Sequence, residues 1–160
     1  MATLTERIRP FRVWQNITLF QRDTFMPMLP ITAFYAVVLA LLLLFLASAV
    51  VKARRRHKAG LGHDHKAVLL AGRVHGNATE YVPILLILMA LAELNGANYI
   101  MLHSLGGLIV IARLLHAWGL KEGRGAYHVG RFWGTALTWL AMIAACIFNL
   151  MFIWPFLLRP

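Results

Sequence analysis

Two stretches of this chain carry no charged side chain and are too apolar to offer water a wet face. Ile31–Val51 reads ITAFYAVVLALLLLFLASAVV, an uncharged run of 21 residues, and Phe132–Leu158 is an uncharged run of 27. About 20 such residues in a helix cross the ~30 Å hydrocarbon core of a bilayer. Inside lipid each backbone N–H and C=O must be satisfied within the protein, so a lone apolar run that spans must be helical. Two further stretches fit the same template with one interruption each: Val74–Ala92 contains Glu80, and Tyr99–Leu120 contains Arg113. Asn95–Gly96–Ala97–Asn98 between them has the composition of a short helix–helix turn. The expectation is an all-α, integral membrane four-transmembrane-helix bundle with spans at about 30–51, 68–95, 98–120 and 130–157. Composition excludes the soluble alternative: 60% of residues are apolar and 14% charged, against roughly 45–50% and about 25% in soluble domains.

Residues 1–29 hold Arg7, Arg9, Arg12 and Arg22 interleaved with Phe11, Trp14, Phe20 and Phe25. They lack the continuous apolar core of a cleaved signal and suit an interfacial segment lying on the membrane. The single Cys146 falls in the fourth span, so no disulfide framework is expected within the chain.

The charge distribution sets an orientation. Lys52, Arg54, Arg55, Arg56, Lys58, Lys66 and Arg73 cluster between spans one and two, and Lys121, Arg124 and Arg131 between spans three and four. Both loops lie on one side of a four-span protein and hold ten of its sixteen basic residues. The positive-inside rule makes that side cytoplasmic, with both termini outside. The net charge of +10 then reads as topology and contact with lipid headgroups, and no nucleic-acid-binding pattern accompanies it.

The polar residues inside the spans are not scattered. At 100° per residue, Arg73, Asn77 and Glu80 fall at about 0°, 40° and −20° around the second helix, with Tyr81 roughly 80° from Arg73. Arg113 and His116, three apart, share a side of the third helix. Ionisable groups at such depths normally face a bundle interior or a wet cavity. An Arg–Glu pair that only locks helices together would account for part of the pattern. The full set offers several fixed cations, one carboxylate, one amide and one phenol near the cytoplasmic surface. That complements a small zwitterion with excess negative charge, since arginine grips carboxylates and glutamate takes an ammonium. Glutathione has the matching groups.

The segment GRVHGNATEYVP (Gly72–Pro83) resembles the second-helix signature of the membrane-associated proteins in eicosanoid and glutathione metabolism (MAPEG), which include microsomal glutathione transferases and leukotriene synthase. Arg73, Asn77, Glu80, Tyr81 and Pro83 match the form R-x-x-x-N-x-x-E-Y-x-P. ARLLHAWG (Ala112–Gly119) is similar to the family's third-helix element, and the loop RRRHKAGLG looks like that of bacterial members. The resemblance covers about Pro30 to Leu157. It implies a homotrimer in a membrane, with glutathione as co-substrate at each subunit interface and a hydrophobic electrophile arriving through the bilayer. Arg54 (or its neighbours Arg55 and Arg56), Arg73, His75, Asn77, Glu80, Tyr81, Arg113 and His116 would contact glutathione. Arg131 would stabilise the thiolate, with Arg124 as its rival. The activity implied is that of a glutathione S-transferase or peroxidase in a bacterial inner membrane.

One departure weakens catalysis more than binding: Leu120 stands where several relatives carry a tyrosine. That substitution keeps open a non-catalytic glutathione- or lipid-binding scaffold, and the aromatic, arginine-rich N-terminus keeps open an accessory subunit of a larger complex. No metal site is expected: His63, Asp64 and His65 lack the spacing of a helical ligand pair. Pro83 is expected to bend the second helix, Glu93 to reach the outer interface and His103 to be a hydrogen-bonded packing histidine. Gly106, Gly107 and Gly134 are expected to let helices approach closely.

Overall fold

The computed structural model describes residues 28–62 and 65–158. The expected interfacial segment, apart from Met28 and Leu29, lies outside the described residues, as do His63, Asp64 and Arg159. Four helices make up the described chain: α1 (Pro30–Arg56), α2 (Lys66–Leu94), α3 (Tyr99–Glu122) and α4 (Val129–Leu157). All four are long and apolar enough to cross a membrane, which makes this an all-α membrane bundle. α1 runs past the apolar stretch to include Arg54, Arg55 and Arg56 in its last turn. Cations at a helix C-terminus oppose the helix dipole, and their stems reach the headgroup layer, so nothing ends the helix at the edge of the hydrocarbon. α2 likewise continues through Pro83 to Leu94.

The packing order explains which helices carry the polar residues. α2 and α3 touch each other and both outer helices, whereas α1 and α4 make no contact among the described residues. The inner pair therefore has enough protein around it to shelter polar groups. α1 and α4 turn broad apolar faces outward, with Phe45 69% and Met151 62% exposed. In water such a surface would aggregate; in a bilayer it is solvated by acyl chains. The core threads between the helices through Leu39, Leu85, Met89, Leu102 and Ile109, all essentially buried.

In lipid, helix association depends on close packing and polar contacts rather than on hydrophobic exclusion. Glycines set that packing here. A Cβ on Gly106 would collide with the Tyr35 ring, one on Gly134 with the backbone of His116, and one on Gly119 with the backbone at Gly130 and Arg131. Gly107, by contrast, faces open space, so the expectation of a close approach fails there: the neighbouring glycine lies against the ring and Gly107 points off that face. Polar clamps act at the end of the bundle away from the basic loops. Glu93 does not simply reach outward: its two carboxylate oxygens accept the N–H groups of Ile31 (3.0 Å) and Thr32 (2.8 Å). A carboxylate on α2 thus caps α1, where Pro30 and Leu29 provide no side-chain cap. His103 takes the expected packing role, with its Nδ1 3.2 Å from the Tyr35 hydroxyl.

Gly119 supports a direct test. Gly→Ala inside a helix ordinarily gains about 1 kcal/mol. Here the new methyl would push against the backbone of α4, which no rotamer change relieves. Gly119→Ala is expected to reverse that sign and lower stability by about 1–3 kcal/mol, the usual range for overpacking, as read by thermal unfolding in detergent.

Candidate functional site

The basic end of the bundle is where the start of α2, the end of α3 and the start of α4 converge. Between them lies a cleft of about 370 Å3. From α2 it is lined by Lys66, Arg73 and Asn77, and from α3 by His116 and Leu120. Arg124 and Gly125 of the α3–α4 loop and Arg131 of α4 complete its wall. Four of these residues are cations and none is a carboxylate. A cavity with one sign of charge and partly apolar walls concentrates anions.

Behind this wall sits Arg113, only 2% exposed. Its guanidinium donates to Asn77 Oδ1 at 2.9 Å, to the Gly134 carbonyl at 3.3 Å and to the Thr138 hydroxyl. The Thr138 hydroxyl itself donates to the Gly134 carbonyl at 2.6 Å. Arg113 also lies 5.3 Å from the centroid of the Tyr81 ring, within reach of a cation–π interaction. One side chain of α3 therefore ties α2 to α4. The in-helix polar stripe of α2 is thereby divided: Asn77 is held by Arg113 and turned to the cleft, whereas Glu80 is exposed. Among the described residues neither Arg73 nor Glu80 pairs with an oppositely charged group, so an Arg73–Glu80 lock is not what holds these helices together.

A second cleft, about 540 Å3, opens on the face of α4 beside the first. Phe132, Thr135, Ala136 and Trp139 give it a largely apolar floor, with Tyr127 and His128 at the loop end. Arg131 lines both clefts. One of its amino groups donates to the Gly125 carbonyl at 2.8 Å, which fixes the guanidinium at the junction. The close contact of Gly119 with the Arg131 backbone brings the first turn of α4 to that place. Tyr81 links the two regions from behind, with Trp139 Nε1 3.5 Å from its hydroxyl.

Arg73, Asn77, His116 and Arg131 are thus brought together from three helices, with Arg113 and Tyr81 supporting them. His75 is half-buried on another face of α2 and Glu80 is exposed, and neither lines the cleft. Arg54 lies on the α1–α2 loop side, where its Nη1 donates to the Gly60 carbonyl at 2.9 Å. Lys66, Thr138 and Trp139 take part without having been singled out from sequence. Thr138 sits seven residues beyond Arg131, two helical turns along one face, but a lone threonine in an apolar span ordinarily bonds its own backbone.

Comparison with known proteins finds a family and a relative. The model of the MAPEG family matches residues 32–151, from the first turn of α1 to within two turns of the end of α4. The inner membrane protein YecN of two strains of Escherichia coli is 35% identical over 121 residues, covering 75% of this chain and 90% of the relative.

Proposed function

The chain belongs to the MAPEG family, and from that premise we propose that it is a glutathione-dependent enzyme of the bacterial inner membrane. Glutathione occupies the basic cleft. Arg73 and Lys66 face its carboxylates, and the amide of Asn77 pairs with its peptide groups. The observation that carries the reading is the position of Arg131, shared between a cationic cleft and an apolar one. A cation beside a thiol favours the thiolate and lowers its pKa. At this junction the thiolate faces the second cleft, which an apolar electrophile enters from the bilayer along α4. Arg124 lines only the cationic cleft, which suits it to a carboxylate rather than to sulfur.

The reaction needs no group beyond these. For an electrophile bearing a leaving group, the sulfur lone pair forms the S–C bond as the leaving group departs with its electrons. The thiol proton passes to solvent through the polar cleft. With a lipid hydroperoxide, two glutathiones supply two electrons: the O–O bond breaks, and a disulfide, an alcohol and water result. Arg113 does not touch the reacting atoms; it positions Asn77 and Tyr81.

Glu80 and His75 support a second copy of the chain in the assembly, with the trimer as the family's expected form. A carboxylate exposed on a helix within a span is costly in lipid unless another subunit covers it. The rival reading is a scaffold that holds glutathione without activating it. It is favoured by Leu120, which puts an aliphatic side chain in the cleft wall where several relatives have a phenol.

Glutathione binding to the purified protein in detergent, followed by calorimetry, separates these readings from a purely structural polar cluster. Arg73→Ala is expected to weaken binding about tenfold or more, since hydrogen bonds to charged groups contribute about 1.5–3 kcal/mol. An unchanged affinity would remove Arg73 from the site. Absence of binding to the native protein would refute both the enzyme and the scaffold.

A further inference from the structure

Three helices end in the same hydrogen-bonded C-terminal motif, and they differ at the residue that matters most in it. In this motif the residue after the cap turns to positive φ, and glycine is preferred there because it has no Cβ to clash. α2 obeys the preference with Gly96 at φ 88°, closed by Gly96 N–H to the Glu93 carbonyl and Ala97 N–H to Ala92. The two helices that end on the basic side do not. α1 closes with Lys58 N–H to Arg55 and Ala59 N–H to Arg54, and places Lys58 at φ 50°. α3 closes with Arg124 N–H to Lys121 and Gly125 N–H to Leu120, and places Arg124 at φ 48°. A long cation thus stands in a strained conformation at both sites, although Gly60 and Gly125 lie within two residues. Strain of this kind persists where the surroundings impose it and clusters at functional positions. Arg124 is accounted for by the cationic cleft between α2, α3 and α4. Lys58 is not.

Lys58 lines a separate shallow cleft of about 450 Å3 at the end of α1, together with Arg54, Arg55, Val51 and Ala59. The bond from Arg54 to the Gly60 carbonyl and the stacking of the His57 and His65 rings, 4.8 Å apart, hold Gly60 and His65 against the helix end. Lys58 is thereby presented beside Arg55, and both are exposed. Val51, 48% exposed, begins the apolar face of α1 one turn below. The order along the helix is therefore acyl-facing surface, then a three-cation cleft, at the level where a spanning helix leaves the hydrocarbon.

We propose that the cleft formed by Arg54, Arg55 and Lys58 binds the phosphate of an anionic lipid headgroup, with the acyl chains running down the exposed face of α1 from Val51. The apolar face continuous with the cations selects a lipid phosphate over a free anion. The strained Lys58 exists to complete the cation set. None of these residues lines the cleft between α2, α3 and α4; the family resemblance offers Arg54 or a neighbour to glutathione, so the test turns on Lys58, which it does not.

The test is native mass spectrometry of the full chain in neutral detergent, titrated with phosphatidylglycerol or phosphatidylcholine. The native protein is expected to retain phosphatidylglycerol in preference to phosphatidylcholine. Lys58→Gly is expected to reduce that preference about fivefold, the effect of one cation near an anionic headgroup, while raising the melting temperature of the lipid-free protein by relieving the positive φ. Lys58→Gln is expected to lose the same lipid preference without the thermal gain, because it removes the charge and keeps the strain. Unchanged lipid retention in both variants would overturn the proposal. So would loss in Lys58→Gly alone, which would trace the effect to backbone shape. Full displacement of the lipid by inorganic phosphate would also overturn it, by showing a site for a free anion.

Discussion

Arg113→Ala is expected to lower the stability of the bundle by about 2–5 kcal/mol, the range for emptying a large buried site. The side chain fills space between three helices, and its removal leaves a void that α2, α3 and α4 cannot all close at once. Asn77 Oδ1 and the Thr138 hydroxyl also lose the partner that orients them. An opposing effect acts at the same site. Burying a guanidinium among neutral groups is expensive, and replacing a buried charge by an apolar residue of similar size is often neutral or favourable. Arg113→Met therefore separates the two contributions. It refills the volume and removes the desolvation penalty, so most of the stability is expected to return. It does not restore the bond to Asn77, so glutathione affinity is expected to stay low. Chemical or thermal unfolding of both variants, paired with binding, checks this. Recovery of binding in Arg113→Met would show that Asn77 does not need its clamp.

Arg131→Ala has the other large expected effect, and it falls on chemistry rather than folding. The side chain is partly exposed at the junction of the clefts, so its loss removes a cation without opening the core. A charge within about 4–6 Å shifts a neighbouring pKa by about 1–3 units. The thiolate fraction of bound glutathione near neutral pH is then expected to fall by about tenfold to a thousandfold, with affinity reduced much less. A conjugation rate that declines in parallel with the thiolate, at nearly constant KM, identifies Arg131 as the activating group. Arg124→Ala is the comparison that lowers affinity and leaves the thiolate fraction of the bound peptide in place.

The fold was legible in the sequence wherever hydrophobicity decided it. Ile31–Val51 and Phe132–Leu158 had no alternative to spanning helices, and the periodicity of Arg73 and Asn77 pointed to a sheltered polar face. Pairing was less legible. Arg73 and Glu80 share a stripe by angle, yet they lie two turns apart along it, and of the stripe only Asn77 meets Arg113. Glu93 read as an interfacial charge because nothing in its own segment shows that the unsatisfied N–H groups at Ile31 and Thr32 lie opposite. Thr138 was invisible for the same reason: its partner is 25 residues away in sequence. Positive φ at Lys58 and Arg124 runs against residue preference, so a sequence reading places ordinary cations there and misses the strain.

Activation of the glutathione thiol at Arg131 is read by the ultraviolet thiolate absorbance that develops when glutathione is titrated onto the purified native protein, with S-methylglutathione as the control that binds but cannot ionise at sulfur. A saturable thiolate signal is expected near neutral pH, absent with the methylated peptide and lost in Arg131→Ala. Saturable binding of glutathione with no thiolate signal in the native protein would contradict that activation, and would leave a protein that holds glutathione without activating it.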